Sequence, residues 1–240
     1  MNKLAKVQDL LDVQQLDALV ILSDYNRRYL SDFTGTSGAL IISKNNYQLI
    51  TDFRYIEQAT NQATKFNIIK RSGGLIEAIV EIINHEQFNH VGFEGHLVSY
   101  DTYQTLDQSK AKLISIGNEI EKIREIKTPE EIKKIKYAAK IVDDTYNYVL
   151  DIAKVGMTER ELKSKLEAKM LELGADGPSF DTIVASGYRG ALPHGVASDK
   201  VIEQGDMITL DFGAYYRGYC SDITRTFAIG EPDSKMKDIY

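Results

Sequence analysis

The chain has 240 residues, 43% of them apolar and 27% charged, which suits one large globular domain or two modest ones. Its formal net charge of −6 argues against a surface that binds nucleic acid or an anionic membrane. The single cysteine, Cys220, excludes an intrachain disulfide and a thiolate zinc cage, and it favours a reducing, cytoplasmic setting. The N-terminal residues lack a signal-peptide core, and no apolar run approaches the roughly 20 residues of a membrane span.

Residues 1–125 alternate between helical and strand patterns, which predicts a mixed α/β layer domain. A helix over residues 4–15 is followed by the buried strand "ALVIL". The segments "GALIIS" and "QLITD" flank "KNNY", whose two asparagines suit the tight turn of an antiparallel hairpin. Further strands are predicted at "FNIIKR", "HVGFEG" and "KLISI", with helices near residues 75–84 and 100–108.

A second unit, residues 128–240, is predicted to begin at "KTPEEIKK". Thr128 can cap a helix, Pro129 suits its first position, and Glu131 completes a capping box. Apolar residues spaced by three and four then predict one buried stripe along a long helix: Ile132, Ile135, Ala139, Val142, Tyr146, Val149 and Ala153. We interpret this stripe as core packing rather than as a coiled-coil seam, because three heptads are too few for a seam.

A second capping box, Thr158 with Glu161, predicts another helix that ends at Gly174. Its buried residues are expected to be Leu162, Leu166, Met170 and Leu173. The pattern then changes to the strands "FDTIVASG", "VIEQGDMITLDFGAYY" and "GYCSDITRTFAIG". The unit should therefore hold two antiparallel helices followed by strands, in one compact body.

Two aspartates, Asp211 and Asp222, interrupt these strand patterns, although aspartate is depleted in strands. A turn in "AYYRGY", with Gly218 left-handed in a short bulged loop, predicts that they lie opposite each other to within one residue of register. Their Cβ atoms would then be about 4.5 to 7 Å apart. Like charges this close destabilise a protein unless a cation lies between them or one carboxyl keeps its proton.

The alternative is a solvated edge hairpin in which Arg217 and Arg225 neutralise the aspartates. Strand alternation places Arg225 on the opposite face from Asp222, so we favour a pair of divalent metal ions. Oxygen ligands without cysteine favour Mn(II) and also suit Co(II), Fe(II) or Zn(II). A bridging carboxylate suits two ions about 3.5 to 4 Å apart, which can activate water for hydrolysis. His194, between Pro193 and Gly195, lies in a loop that could reach a cleft, although a loop histidine alone is weak evidence.

The run from Phe180 to Phe227 resembles the pita-bread metallopeptidases, and among them the Xaa-Pro dipeptidases (prolidases) and Xaa-Pro aminopeptidases. Residues 1–125 resemble the creatinase-type N-terminal domain of these enzymes, and residues 128–240 resemble the first half of the catalytic domain. The resemblance implies an α/β (α+β) fold class and hydrolysis of Xaa-Pro bonds in proline-containing peptides by a hydroxide between two metal ions. It also implies a homodimer.

By that resemblance, Asp211 would bind mainly one metal ion, and Asp222 would bridge both. His194 would lie beside the substrate and hydrogen-bond the peptide or the developing oxyanion. The family's other metal ligands, a histidine and two glutamates, are expected beyond Tyr240, after a helix that "DSKMKDIY" begins. The resemblance therefore implies a fragment with an incomplete metal site that is inactive alone.

Other functions remain open. A non-catalytic binding or oligomerisation module of the same fold is possible, but the retention of both Asp211 and Asp222 argues against it. Creatinase-like and methionine aminopeptidase activities on the same fold are further alternatives. A creatinase-like enzyme needs no metal and has no use for the aspartate pair, and methionine aminopeptidases typically lack the N-terminal domain, so both are disfavoured. The choice between dipeptidase and aminopeptidase stays open, with a slight preference for dipeptidase. The N-terminal domain is expected either to mediate dimerisation and narrow a partner's cleft, or to give structural support alone.

Overall fold

The computed structural model describes residues 3–240, which form two compact units. The first unit ends at Ile126 and the second begins at Lys127. Among the helices of the described chain, none combines the length and the apolar character needed to cross a membrane.

The first unit is a six-stranded mixed sheet, ordered β4-β3-β2-β1-β5-β6, with helices on both faces. Its strands are β1 Ala18–Ile21, β2 Ala39–Ser43, β3 Tyr47–Thr51, β4 Asn67–Lys70, β5 His90–Phe93 and β6 Lys112–Ser115. Its helices are α1 Lys3–Val13, α2 Asp24–Ser31, α3 Ile56–Gln62, α4 Leu75–His85, α5 Tyr100–Leu106 and α6 Glu119–Glu125. Successive residues of the central strands face two different apolar clusters, so the sheet is buried on both sides.

The predicted hairpin of the first unit is confirmed, because β2 and β3 pair antiparallel around "KNNY". The first helix is shorter than predicted: α1 ends at Val13, and Gln15 is left-handed at φ 55°. Helix α2 was not predicted, because polar residues occupy much of its buried face. Arg27 is an example, with its guanidinium donating to the carbonyl oxygens of Gly38 and Gly35 at 2.8 and 2.6 Å.

The second unit places two long helices against short strands. Its helices are α7 Pro129–Ile152, α8 Glu159–Glu172 and α9 Ser234–Ile239. Its strands are β7 Gly177–Pro178, β8 Ile183–Ser186, β9 Met207–Phe212, β10 Ala214–Tyr216, β11 Tyr219–Cys220 and β12 Ile223–Ala228. Both predicted capping boxes are present, at Thr128 and at Thr158, and Gly174 follows α8 with φ +97°. The predicted start of a helix in "DSKMKDIY" is also confirmed, by α9.

The stripe predicted along α7 is wrong in its first half. Ile132 is 42% exposed and Ala139 is exposed, whereas Glu131 and Ala138 are buried. The cause is a polar contact with the neighbouring β-hairpin: the Tyr219 hydroxyl donates to Glu131 Oε1 at 2.7 Å. Together with the hydrogen bond from Ser221 Oγ to the Ala138 carbonyl, this contact shifts the buried face in the first half of the helix by one residue relative to the apolar pattern.

The strands of this unit form two small sheets, ordered β12-β9-β8 and β11-β10-β7. Along β9 the side chains alternate, with Ile208, Leu210 and Phe212 buried in the cluster that also contains core residues of α7 and α8. Met207, Thr209 and Asp211 point to the other face and are only partly buried. We call this second face of β8, β9 and β12 the open face.

Candidate functional site

The two aspartates lie on the hairpin formed by β9 to β12. Asp211 is paired with Thr224 of β12 on one side and with Ile183 of β8 on the other. The register on both sides of Asp222 places it opposite Gly213, two residues along β12 from the partner of Asp211. Since residues two apart point to the same face, the two aspartates are diagonal neighbours, with Cβ atoms about 7 Å apart or less.

The predicted register is therefore wrong by a small amount: the aspartates are offset by two residues rather than by at most one. The reason is the turn, which has only two residues, Arg217 and Gly218, with φ of 48° and 90°. Such two-residue turns need positive φ at both positions and fit the twist of the strands without a bulge. The left-handed conformation predicted for Gly218 is confirmed.

The backbone just before Asp222 is held closely by three groups. Ser221 Oγ donates to the carbonyl of Ala138 in α7 at 2.9 Å, and Ser179 Oγ donates to the carbonyl of Ser221 at 2.8 Å. A Cβ on Gly213 would lie 2.0 Å from the Ser221 oxygen and 2.2 Å from Ser179 Oγ, so only glycine fits there. Sequence reasoning missed these residues, and the glycine between the "LDF" and "AYY" strand patterns was the one available signal.

The carboxylate of Asp211 is oriented by its cross-strand neighbour. Thr224 Oγ1 donates to Asp211 Oδ1 at 3.0 Å, which leaves Oδ2 free for another partner. Neither aspartate takes part in an ion pair anywhere in residues 3–240. Arg225 donates instead to the Thr224 carbonyl at 2.8 Å, so it does not neutralise the pair.

Two adjacent carboxylates have the right chemistry for a divalent cation that prefers oxygen ligands. They are too few to hold one tightly, however, because divalent sites use four or more ligands. Within the described part of the chain, no group of three or more histidine, cysteine, aspartate or glutamate side chains could hold a metal ion. The two aspartates are therefore the right kind of ligand for such an ion, but two ligands are too few to hold it.

His194 lies in a loop that folds onto the open face, which we call the His194 loop (residues 187–198). The ideal Cβ position of Gly195 is 2.9 Å from the Cβ of Ala185, and that of Gly190 is 3.5 Å from Thr209 Oγ1. Ala185 is paired with Thr209, which shares the open face with Asp211. The loop thus covers the part of the face next to the aspartates. The His194 side chain itself is exposed and has no hydrogen bond to either aspartate among the described residues.

A buried carboxylate that sequence reasoning missed holds this loop. Glu159, the first residue of α8, is fully buried. It accepts hydrogen bonds from the backbone and hydroxyl of Ser186, from the backbone and hydroxyl of Ser198, and from Arg189 Nε. Burial by itself raises the pKa of Glu159, but the hydrogen bonds from Ser198 and Ser186 outweigh it and hold the pKa below the ordinary value.

Comparison with known proteins decides the family. Residues 133–240 match "Metallopeptidase family M24", and residues 3–126 match the "Creatinase/Prolidase N-terminal domain". The chain belongs to metallopeptidase family M24. The M24 chain is 46% identical to the "Uncharacterized peptidase YqhT" of Bacillus subtilis over 99% of its length and 68% of the relative. It is 35% identical to the "Xaa-Pro dipeptidase" of Pyrococcus furiosus, over 100% of the chain and 68% of that protein.

Solved structures give the same result. The M24 chain superimposes on the Xaa-Pro dipeptidase from Bacillus anthracis with a TM-score of 0.93 and 45% identity, covering 99% of the chain and 67% of that structure. The X-Pro aminopeptidase from Thermotoga maritima matches with a TM-score of 0.87 and 39% identity, covering 94% of this chain and 66% of that structure. The predicted fold class and family resemblance are confirmed. The protein is a peptidase by family, and M24 metallopeptidases act with divalent metal ions.

Proposed function

We propose that this M24 chain supplies part of the active site of a metal-dependent Xaa-Pro peptidase, with Asp211 and Asp222 as metal ligands. The observation that carries the proposal is the placement of two carboxylates on one open face, without a cationic partner in the described residues. Like charges so placed favour the binding of a cation between them. Relatives named as Xaa-Pro dipeptidases support the choice of substrate.

Divalent ions, when bound, would activate water and polarise the carbonyl of the scissile bond. The chain's own residues would prepare that site. Asp211 would present Oδ2 to the ion while Thr224 holds Oδ1 at 3.0 Å. Asp222 would be kept beside it by the anchored carbonyl and hydroxyl of Ser221. His194, on the loop that covers the same face, would donate a hydrogen bond to the peptide or to the oxyanion that develops on its carbonyl.

We propose Mn(II) as the ion, since the two ligands are carboxylates, with Co(II), Fe(II) or Zn(II) as substitutes. The remaining ligands of a two-metal site would come from outside residues 3–240, because the described residues offer no group of three ligands. Residues 1–240 alone are therefore expected to hydrolyse Xaa-Pro dipeptides slowly or not at all.

The scarcity of ligands favours one other candidate, a non-catalytic binding or oligomerisation module of the same fold. We place it second, because a module without metal has no physical use for two carboxylates that repel each other. Between the two peptidase activities we propose a dipeptidase ahead of an aminopeptidase, although relatives carry both names.

We also propose a cytoplasmic homodimer. The cytoplasmic location is supported by the single, exposed and unpaired Cys220, which suits a reducing compartment. Light scattering of the intact chain tests the dimer: a mass twice that of the 27.0 kDa chain is expected, and a monomer at all concentrations would exclude it.

The activity is tested by joining residues 1–240 to the part of the Bacillus anthracis dipeptidase that the chain does not match. The hybrid is expected to hydrolyse Ala-Pro with added Mn(II), whereas residues 1–240 alone are not. Asp222→Asn should abolish turnover by the hybrid, and Asp199→Asn, an exposed aspartate beside Arg160, is the matched control. Turnover that survives Asp222→Asn would contradict the proposed site, and rapid turnover by residues 1–240 alone would contradict the need for further ligands.

A further inference from the structure

We propose that Glu159 is a positioning residue for His194, acting by fixing both ends of the His194 loop onto the open face. The task of His194 itself rests on the proposed function. The holding of the loop by Glu159 is a separate statement that can be tested without any enzyme activity.

The two oxygens of the Glu159 carboxylate serve opposite ends of the loop. Oε1 accepts from the backbone nitrogen and hydroxyl of Ser186, at 2.8 and 3.0 Å, where β8 ends and the loop begins. Oε2 accepts from the backbone nitrogen and hydroxyl of Ser198, at 2.9 and 2.7 Å, where the loop returns. One buried side chain therefore closes the loop at its base.

Arg189 extends this arrangement into the loop. Its Nε donates to Glu159 Oε2 at 3.0 Å, and its Nη2 donates to the carbonyl of Val196 at 2.7 Å. Val196 is two residues from His194, and its backbone nitrogen donates to the His194 carbonyl at 2.8 Å. A chain of hydrogen bonds thus connects the buried carboxylate with the backbone of the histidine.

The start of α8 does not need Glu159 as a cap. Thr158 Oγ1 already accepts from the backbone nitrogen of Glu161 at 3.1 Å, and Glu161 Oε2 accepts from that of Thr158 at 2.8 Å. Glu159 points the other way, into the protein, where all its hydrogen bonds serve the His194 loop. An ionised side chain in this position needs this many donors to remain buried, so the loop and the carboxylate depend on each other.

The aspartates are held by a different set of contacts. Asp211 is fixed by Thr224, and the backbone before Asp222 is fixed by Ser179 and by the Ala138 carbonyl. Loss of Glu159 should therefore release His194 and leave the aspartate pair in place. This separation distinguishes a positioning role from a general contribution to folding.

The first test is hydrogen exchange of the intact chain, measured by NMR for four proteins: wild type, Glu159→Gln, Ser198→Ala and the control Glu172→Gln. Ser198→Ala keeps the buried charge and the backbone donor of residue 198 and removes only the hydroxyl donor at that end, so it is informative even if Glu159→Gln fails to fold. Glu172 is an exposed glutamate at the other end of α8. We expect amides of residues 187–198 to exchange about tenfold faster in both test variants, while those of β9 and β12 and the control are unchanged.

The proposal would be overturned if amides in the loop of the test variants exchanged at the wild-type rate. It would also be overturned if the exchange rates in β9 and β12 rose as much as those in the loop. The same samples give the imidazole resonances of His194. In both test variants they are expected to move to the positions of an unstructured histidine, and unchanged resonances would overturn the proposal as well.

The second test uses kinetics of the hybrid peptidase. Glu159→Gln is expected to lower kcat about a hundredfold, with KM changed by no more than about threefold. Adding Glu159→Gln to His194→Ala should cause no further loss, because both changes remove the same interaction. If the kcat losses of the two single variants multiply in the double variant, Glu159 does not act through His194. If the wild-type hybrid has no Xaa-Pro turnover, the proposed function fails, and the exchange and imidazole measurements still decide whether Glu159 positions the histidine.

Discussion

Thr224 and Asp211 face each other across the β9–β12 pair, and the threonine hydroxyl donates to Asp211 Oδ1 at 3.0 Å. This contact fixes the plane of the carboxylate and leaves its second oxygen directed away from the donor. A hydrogen bond to an oxygen of a ligating carboxylate is the kind of support that orients metal ligands in proteins. Thr224 is thereby part of the proposed site although it binds no metal itself.

The substitution Thr224→Val removes the hydroxyl and keeps the β-branched shape, so the strand should remain intact. We expect Mn(II) affinity to fall about tenfold, because the carboxylate of Asp211 is then free to rotate. Calorimetric titration of the intact chain with Mn(II) measures the effect. Thr226→Val is the matched control, since Thr226 lies two residues further along the same face and pairs with Thr209 instead. Equal losses in both variants would contradict a specific role for Thr224.

Gly213→Ala tests the close approach beside Asp222. The added methyl would meet the Ser221 oxygen at 2.0 Å, so the backbone that carries Asp222 must move. We expect the free energy of unfolding to fall by about 3 kcal/mol, at the upper end for overpacked sites, and Mn(II) binding to be lost. Gly177→Ala in β7 is the control, because a Cβ there meets no atom within 4 Å. Urea denaturation measures both variants, and similar stabilities for the two would contradict the packing argument.

The stability contributed by Glu159 should depend on pH. Its pKa is lowered in the folded protein from an ordinary value of 4.5, so the contribution is fully present above that value and is lost as the pH falls through the folded pKa. At pH 7 we expect Glu159→Gln to lower the free energy of unfolding by about 3 kcal/mol, because Arg189 and four donors lose a buried charged partner.

Denaturant titrations between pH 7 and pH 3 check this expectation. The difference in free energy of unfolding between wild type and Glu159→Gln should shrink as the pH falls below about 4.5. For Glu172→Gln, on the exposed end of the helix, we expect little difference at any pH. A difference for Glu159→Gln that stays constant across the range would show that the buried group is not ionised.

The sequence predicted those features that depend on neighbouring residues. Both capping boxes were found because Thr128 and Thr158 each bond a residue three positions later. Glu159 was not found, because Ser186 and Ser198 lie 27 and 39 positions away and only the fold brings them to it. At the start of α8 its charge also has a sufficient local explanation, the favourable interaction with the helix dipole.

The arrangement of the two aspartates was predicted in part. The shared face of Asp211 and Asp222 was predicted correctly, and it is kept because the register differs from the predicted one by an even number of residues. The offset between the two aspartates is set by the turn. A bulged loop was predicted, but the structure has a two-residue turn at Arg217 and Gly218, and this difference changed the offset.

Helix α2 was missed for a third reason: buried polar residues such as Asn26, which donates to Glu94 Oε1 at 2.7 Å, hide the apolar period.

The central claim is that Asp211 and Asp222 together bind a divalent cation. The most direct test is an NMR titration of the intact 240-residue chain with Mn(II), which broadens the resonances of nuclei near the ion. We predict saturable broadening around residues 211 and 222 with a dissociation constant of about 1 mM, abolished by Asp211→Asn and by Asp222→Asn and retained in Asp199→Asn. Absence of broadening in the wild type, or broadening that persists in either of the first two variants, would contradict the account.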